Sequence, residues 1–181
     1  AELAVSGQGG DYANVGSRYE QLLMRLLRDA GQLKRSNAII TKQLAAFANQ
    51  AKGRLFSLNQ TLVVGYIRSG DVTTAESYVA RNRALLAEAQ RWPNFATYGT
   101  VWQATVEDGI GRVAEARGRY PDAEVAYHKS AIFYTASLKT FHLWDSKPQA
   151  GELERYADWA LALEGRAKVK QGRRSEERRV G

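Results

Sequence analysis

Apolar residues recur along this chain at intervals of three and four, the spacing of one face of an α-helix. One such stripe early in the chain consists of Leu22, Leu23, Leu26 and Leu27. A second consists of Tyr78, Val79, Leu85, Leu86 and Ala89. Asn82 occupies the position that would complete the second stripe, between Arg81 and Arg83. We interpret this pattern as an exposed helix that is paired on one side only.

Glycine and proline divide the apolar pattern into segments. The predicted helices cover residues 12–30, 34–69, 72–91, 100–117, 121–140 and 151–171. Gly31 is expected to end the first helix, and Gly53 is expected to bend or interrupt the second. Proline disfavours helix in the residue before it, so Pro93 should end the third helix and open a loop over 93–99. A further loop is expected around Asp145, and the sequence predicts an all-α fold.

The turns between these helices share one motif. It consists of a glycine, a polar residue, a large apolar residue, two spacers, and a small or apolar residue within the next helix. The copies are Gly10-Asp11-Tyr12-Ala13-Asn14-Val15, Gly70-Asp71-Val72-Thr73-Thr74-Ala75 and Gly118-Arg119-Tyr120-Pro121-Asp122-Ala123. A fourth copy begins at Gly172. The preceding helix repeats too, because residues 111–119 and 165–173 both hold two glycines seven apart, each followed by arginine.

Each small residue of the motif has a structural interpretation. A left-handed glycine is expected to end a helix at Gly70, Gly118 and Gly172. Ala75 and Ala123 are small enough to let paired helices approach. Gly111 and Gly165 are expected to do the same one helix earlier, despite an intrinsic cost near 1 kcal/mol for glycine within a helix.

The motif resembles the tetratricopeptide repeat family. Gly118, Tyr120, Ala123 and Tyr127 match its helix-turn-helix pattern, and Gly111 stands where the family has a small residue. The resemblance is strongest over 101–139 and extends over about 8–173. It implies antiparallel helical hairpins stacked as a right-handed solenoid.

The chain also departs from that family. Its turn glycines are 60, 48 and 54 residues apart, whereas the family repeats about every 34 residues. Ser130 stands in place of the usual alanine, and Glu107 in place of a bulky aromatic residue. Amphipathic hairpins of another helical family are therefore the alternative.

Composition narrows the possible functions. The chain has no cysteine, which excludes disulfides, cysteine-based metal sites and a cysteine nucleophile, and leaves both the cytosol and a secreted space open. The net charge of +7 is dispersed along the sequence. A nucleic-acid surface needs such charge gathered on one side, so we do not expect nucleic acid as the partner. The longest apolar run is about seven residues, well short of the roughly 20 that a membrane helix needs.

Candidate catalytic groups are few. His128 and His142 are the only histidines, and Asp145 close to His142 would suit a general base. However, the sequence offers no serine nucleophile in a glycine-flanked turn and no paired histidines at helical spacing. We therefore predict no enzyme activity, metal or cofactor, and we interpret the region around these histidines as aromatic packing between repeats.

The resemblance to tetratricopeptide repeats also implies a binding groove. In that family the first helix of each pair lines the concave side. The positions placed there are Gln60, Val64, Arg68, Asp108, Arg112, Glu115, Trp159, Arg166 and Lys170. Four of them would form a basic stripe, namely Arg68, Arg112, Arg166 and Lys170, and arginine suits two-pronged capture of carboxylates. We expect an extended acidic protein or peptide partner, whose binding falls when Arg112 and Arg166 are reversed in charge.

Residues 174–181 stand apart from the repeats. They resemble the in-frame translation of a common sequencing-library adapter. We therefore expect the native repeat domain to cover residues 1–173 and the parent protein to continue differently. Without 174–181, which hold three arginines and two glutamates, the net charge falls from +7 to +6.

The favoured function is a protein-interaction scaffold within a larger bacterial-type protein. Long, divergent repeats of this kind resemble the arrays that precede CHAT-type caspase-like protease domains. Two alternatives remain open. One is a basic helical domain that binds nucleic acid. The other is the regulatory repeat region of an enzyme whose catalytic domain is missing from this chain.

Overall fold

The computed structural model describes residues 23–24, 26–47, 52–142 and 147–180, and every regular element in these ranges is α-helical. The helices are α1 (Leu33–Phe47), α2 (Lys52–Arg68), α3 (Val72–Ala89), α4 (Phe95–Ala116), α5 (Tyr120–His142) and α6 (Lys147–Val180). A further helical segment precedes α1 and includes residues 26–29. The predicted all-α fold is confirmed. The first copy of the turn motif and Asp145 lie outside the described residues.

The turn glycines end helices as predicted at Gly70 and Gly118. Their φ angles are +83° and +71°, in the left-handed region, which glycine adopts without steric penalty because it has no Cβ. At the first turn the amide of Gly70 donates to the carbonyl of Ile67 at 3.0 Å, and that of Asp71 to Tyr66 at 2.9 Å. This pair of bonds satisfies carbonyls that the helix end would leave free. Asp71 then caps α3, since its carboxylate accepts from the amide of Thr74 at 3.0 Å.

The prediction that Gly172 ends a helix is wrong. It lies inside α6, which continues to Val180. The earlier turns place Val72 or Tyr120 two residues after the glycine, where an apolar side chain can pack beneath the turn. Arg174 holds that place after Gly172, and the arginines and glutamates that follow are good helix formers.

Two further boundaries differ from the sequence-based expectation. The predicted loop over 93–99 is mostly helix, because α4 already begins at Phe95. Phe95 and Tyr98, in this first part of α4, both pack against Trp102, with ring centroids 6.2 and 6.0 Å away. The predicted helix over 34–69 is described as two helices, α1 and α2, and Gly53 is the second residue of α2, where an added Cβ would stand 3.1 Å from the Trp102 ring.

Neighbouring helices pack against each other along the whole described chain. Contacts join α1 with α2, α2 with α3, α4 with α5 and α5 with α6, and α4 also packs on both α2 and α3. The largest core cluster spans several of these helices and includes Ile40, Leu62, Val63, Ala75, Tyr78, Val79 and Val113. An aromatic cluster beside it stacks Phe56 on Trp102 with centroids 5.2 Å apart.

Small residues permit close packing at some of the predicted positions. Ala75 and Ala123 are fully buried. A Cβ at Gly111 would lie 2.6 Å from the ring of Tyr127, so only glycine admits that buried tyrosine. Gly165 was expected to act in the same way, and this is wrong within the described structure, since its Cβ would meet nothing within 4 Å.

The interpretation of α3 as a helix paired on one side is also wrong. Asn82 is 1% exposed, and α3 packs on both α2 and α4. The side-chain amide of Asn82 accepts a hydrogen bond from Asn59 Nδ2 at 2.8 Å and donates one to the carbonyl of Phe56 at 3.2 Å. The polar residue therefore completes the stripe by hydrogen bonding inside the core. In the first stripe Leu27 is buried, whereas Leu26 is exposed.

Candidate functional site

A cleft of about 390 Å³ lies where α2, α4 and α6 meet, with Tyr127 of α5 at its wall. Its apolar lining is formed by Val64, Ile67, Ala116, Trp159 and Leu163. Its polar lining consists of Glu115 and four cations, Arg68, Arg112, Arg166 and Lys170. The structure thus brings most of the residues predicted for a groove to one concave surface. Gln60 and Asp108 do not line the cleft.

Glu115 is the most heavily bonded group of the cleft. Its side chain is 8% exposed and accepts from Arg166 Nη2 at 2.6 Å and Lys170 Nζ at 2.8 Å. The hydroxyl of Tyr127 donates a third bond at 2.9 Å. Burial alone would raise the pKa of Glu115, but the hydrogen bonds from Lys170, Arg166 and Tyr127 outweigh it and lower the pKa. Glu115 is therefore ionised at neutral pH and neutralises part of the basic stripe.

Arg112 is held in place by a second carboxylate. Its Nε lies 2.6 Å from Oδ2 of Asp108, and both side chains are 12% exposed. The side-chain amide of Gln60 donates a hydrogen bond to the same Asp108 oxygen. The Arg112 guanidinium also lies over the Trp159 ring, 4.6 Å from its centroid, in a cation–π contact. Gln60 and Asp108 are therefore positioning residues that fix Arg112 and, through it, Trp159.

Arg68 differs from the other three cations. It is the last residue of α2, it is exposed, and it makes no ion pair within the described part of the chain. The prediction of four available cations needs correction, since Arg112, Arg166 and Lys170 are all paired with carboxylates. Four cations against Asp108 and Glu115 still leave an excess of two positive charges. The cleft is therefore suited to an anionic group, with Arg68 as its most available contact.

The other candidate residues lie elsewhere. His128 is on the exposed side of α5, where Nδ1 is 3.0 Å from Glu164 of α6, so it joins these two helices. The pKa of Glu164 is lowered, because bonds from Lys168 and His128 outweigh its burial. The pairing of His142 with Asp145 concerns side chains outside the described structure.

Sequence reasoning did not identify the second role of Tyr127. The sequence places Tyr127 only within the helix-turn-helix pattern, and the structure buries its ring against Gly111. Its hydroxyl also donates to Glu115 from 12 residues away. Burial and the Glu115 charge raise the pKa of Tyr127, which keeps the phenol a neutral donor. The match of Tyr127 to the helix-turn-helix pattern gives no indication of this bond.

Comparisons with known protein families, with curated proteins and with solved structures found no match to this chain. None of the described helices combines the length and apolar character that a membrane span requires. The described residues also contain no cluster of three or more side chains suited to a metal ion. The chemistry of the cleft is thus the basis on which a function can be proposed.

Proposed function

We propose that this chain is a protein-interaction scaffold, and that its cleft binds a partner segment carrying an acidic residue beside an apolar or aromatic one. The observation that carries the proposal is the meeting of three non-consecutive helices around one surface. That surface joins an apolar floor, a half-exposed Trp159 and an excess of positive charge. Such a mixture of apolar area and a few charged groups is typical of ligand-binding sites.

The same proposal includes a stacked arrangement of hairpins. In it, α2 and α3 form one hairpin, α4 and α5 the next, and α6 begins a third, together forming a right-handed solenoid of the tetratricopeptide type. The packing of α4 on both helices of the preceding hairpin supports this arrangement. The first helices of successive hairpins, α2, α4 and α6, are also the three that meet at the cleft.

Trp159 and Arg68 are expected to contribute differently to binding. Trp159 is 50% exposed, so a partner side chain on its ring removes about 100 Å² of apolar surface from water, worth about 2.5 kcal/mol. A surface ion pair with Arg68 adds only about 0.2–1 kcal/mol. Affinity therefore depends mainly on Trp159, whereas Arg68 favours acidic segments over basic ones and speeds their association.

A library of random 12-residue peptides displayed on phage tests the proposal. The immobilised protein should enrich peptides that place Asp or Glu next to an aromatic or large apolar residue. Synthetic peptides of that sequence should lose at least about tenfold in affinity on Trp159→Ala. Arg68→Glu should weaken them and abolish the preference for acidic residues, because it reduces the excess of two positive charges in the cleft to zero. Arg91→Glu, an exposed arginine remote from the cleft lining, is the matched control and should leave binding unchanged.

Charge reversal of Arg112 and Arg166 is a poorer test than the sequence suggested. Either change would set a new carboxylate beside Asp108 or the buried Glu115, and so destabilise the fold as well as the site. The proposal is wrong if enriched peptides show no acidic residues, or if Arg68→Glu and Arg91→Glu behave alike. Salt-dependent binding to generic DNA, weakened equally by both variants, would instead support the nucleic-acid alternative.

A further inference from the structure

The cleft between α2, α4 and α6 carries more positive charge than one carboxylate can neutralise. Its lining holds a single carboxylate, that of Glu115, and four cations, namely Arg68, Arg112, Arg166 and Lys170. Asp108 does not line the cleft, but it pairs with Arg112 and so neutralises one of them. Two positive charges therefore remain. A partner carboxylate brings one negative charge and would leave the second positive charge uncompensated.

The cations of the cleft keep hydrogen-bond donors that an anion can reach. Arg68 is exposed and makes no ion pair within the described ranges. Arg166 and Lys170 bond to Glu115, yet their side chains are 51% and 43% exposed. A guanidinium has five N–H donors and an ammonium has three, so the bonds to Glu115 leave further donors on both groups.

Glu115 also fixes the position of these donors. Its side chain is 8% exposed, and the hydroxyl of Tyr127 holds its carboxylate at 2.9 Å. Arg166 and Lys170 stand four residues apart in α6, so they extend from the same side of the helix towards it. Two long and otherwise flexible side chains are thus ordered before a ligand binds, which lowers the entropic cost of binding.

We propose that the anionic residue of the partner segment is phosphorylated, and that Arg68, Arg166 and Lys170 bind its phosphate. This proposal rests on the scaffold function proposed above and names the chemistry that the cleft selects. A phosphate monoester carries about 1.5 to 2 negative charges at pH 7, which matches the excess of two positive charges. It also has three strong acceptor oxygens for the three cations. The apolar residue beside it contacts Trp159.

A phosphodiester backbone fits the cleft less well than a phosphate monoester. Each of its phosphates carries one negative charge, and these charges are spread along the strand. A nucleic-acid site therefore spreads its cations along a face or a stripe. Here the cations line one cleft of about 390 Å³, a size that is typical of sites for small ligands. A single phosphorylated side chain and its neighbour suit such a cleft.

Three degenerate synthetic peptide libraries test this proposal. Each has random residues on both sides of one fixed position, which is phosphoserine, glutamate or serine. The immobilised full chain should retain the phosphoserine library at least about fivefold more than the glutamate library, because the dianion makes additional charge-assisted hydrogen bonds. The glutamate library should in turn be retained more than the serine library.

Variants of the cleft should change the ratio of phosphoserine to glutamate retention. Arg68→Gln reduces the excess from two charges to one, so the ratio should fall below about twofold. Lys170→Gln removes one cation of α6 and should lower the ratio in the same way. Arg91→Gln, which removes an exposed charge remote from the cleft lining, is the matched control and should leave the ratio unchanged. Far-UV circular dichroism confirms that each variant is folded.

The outcomes separate this proposal from the scaffold function. Equal retention of the phosphoserine and glutamate libraries, both above serine, would overturn the phosphate alone. If neither library is retained more than serine, the scaffold function falls as well. A ratio that falls equally in Arg68→Gln and Arg91→Gln would show that the net charge of the protein, not the cleft, selects phosphate. Displacement of phosphoserine peptides by inorganic phosphate at equal concentration would show a site for the free anion instead of a phosphorylated partner.

Discussion

The same substitution at two repeat-equivalent glycines should change stability in opposite directions. Gly111 and Gly165 both lie inside helices and are 54 residues apart in matching sequence. Replacing either with alanine removes the conformational freedom of glycine in the unfolded chain and gains up to about 1 kcal/mol of helix propensity. The two sites differ in what the new methyl group meets.

At Gly165 the methyl group meets open space, so Gly165→Ala should stabilise the fold by about 0.5–1 kcal/mol. At Gly111 it would lie 2.6 Å from two carbons of Tyr127, about 1 Å inside a normal contact. Tyr127 is fully buried and bonded to Glu115, so its ring cannot move away freely. Overpacking costs about 1–3 kcal/mol, and the strained hydrogen bond adds about 1 kcal/mol. Gly111→Ala should therefore destabilise the fold by about 1–3 kcal/mol after the propensity gain.

Urea denaturation followed by far-UV circular dichroism measures both effects. The denaturation midpoint should fall for Gly111→Ala and rise for Gly165→Ala, with the slope unchanged. Combining Gly111→Ala with Tyr127→Ala should give a double mutant less destabilised than the sum of the singles, because the clash disappears with the ring. Equal stabilisation by both glycine replacements would refute the packing of Tyr127 on Gly111.

Two further predictions concern buried polar groups. Glu115→Gln should cost about 1–3 kcal/mol at pH 7, because it removes the charge that accepts three hydrogen bonds. The pKa of Glu115 is lower in the folded state than its ordinary 4.5, so this contribution is complete above pH 4.5 and is lost as pH falls through the folded pKa. Wild type and variant should thus converge in urea titrations at low pH, and a constant difference would contradict the assignment. Asn82→Ala should cost about 2–3 kcal/mol by leaving the buried Asn59 amide unpaired and removing the bond to the Phe56 carbonyl, whereas Ser77→Ala on the exposed side of α3 should change stability by less than about 0.5 kcal/mol.

Local chemistry made parts of this fold predictable from sequence. A left-handed helix end is determined by one residue and its immediate neighbours, which is why Gly70 and Gly118 could be identified. The prediction that Gly172 ends a helix was wrong because a glycine permits a helix to end without requiring it. Arg174 also offers no apolar side chain to pack beneath a turn. The prediction of a loop at Phe95 was wrong for the converse reason. Pro93 favours a loop in the residues around it, but packing of Phe95 against Trp102 overcomes this preference, and the sequence pattern does not show that contact.

The number of available positive charges in the cleft could likewise be predicted only in part from the sequence. Repeat spacing places Arg112 and Arg166 at equivalent positions, and that periodicity could be read from the chain. Which cations remain available depends on Glu115, whose partners approach from 51 and 55 residues away. Once these pairs are counted, the basic stripe contracts to an excess of two charges with Arg68 as its free contact. A partner selected by four open cations would be highly acidic, whereas the partner proposed for this cleft needs only one acidic residue beside an apolar group for Trp159.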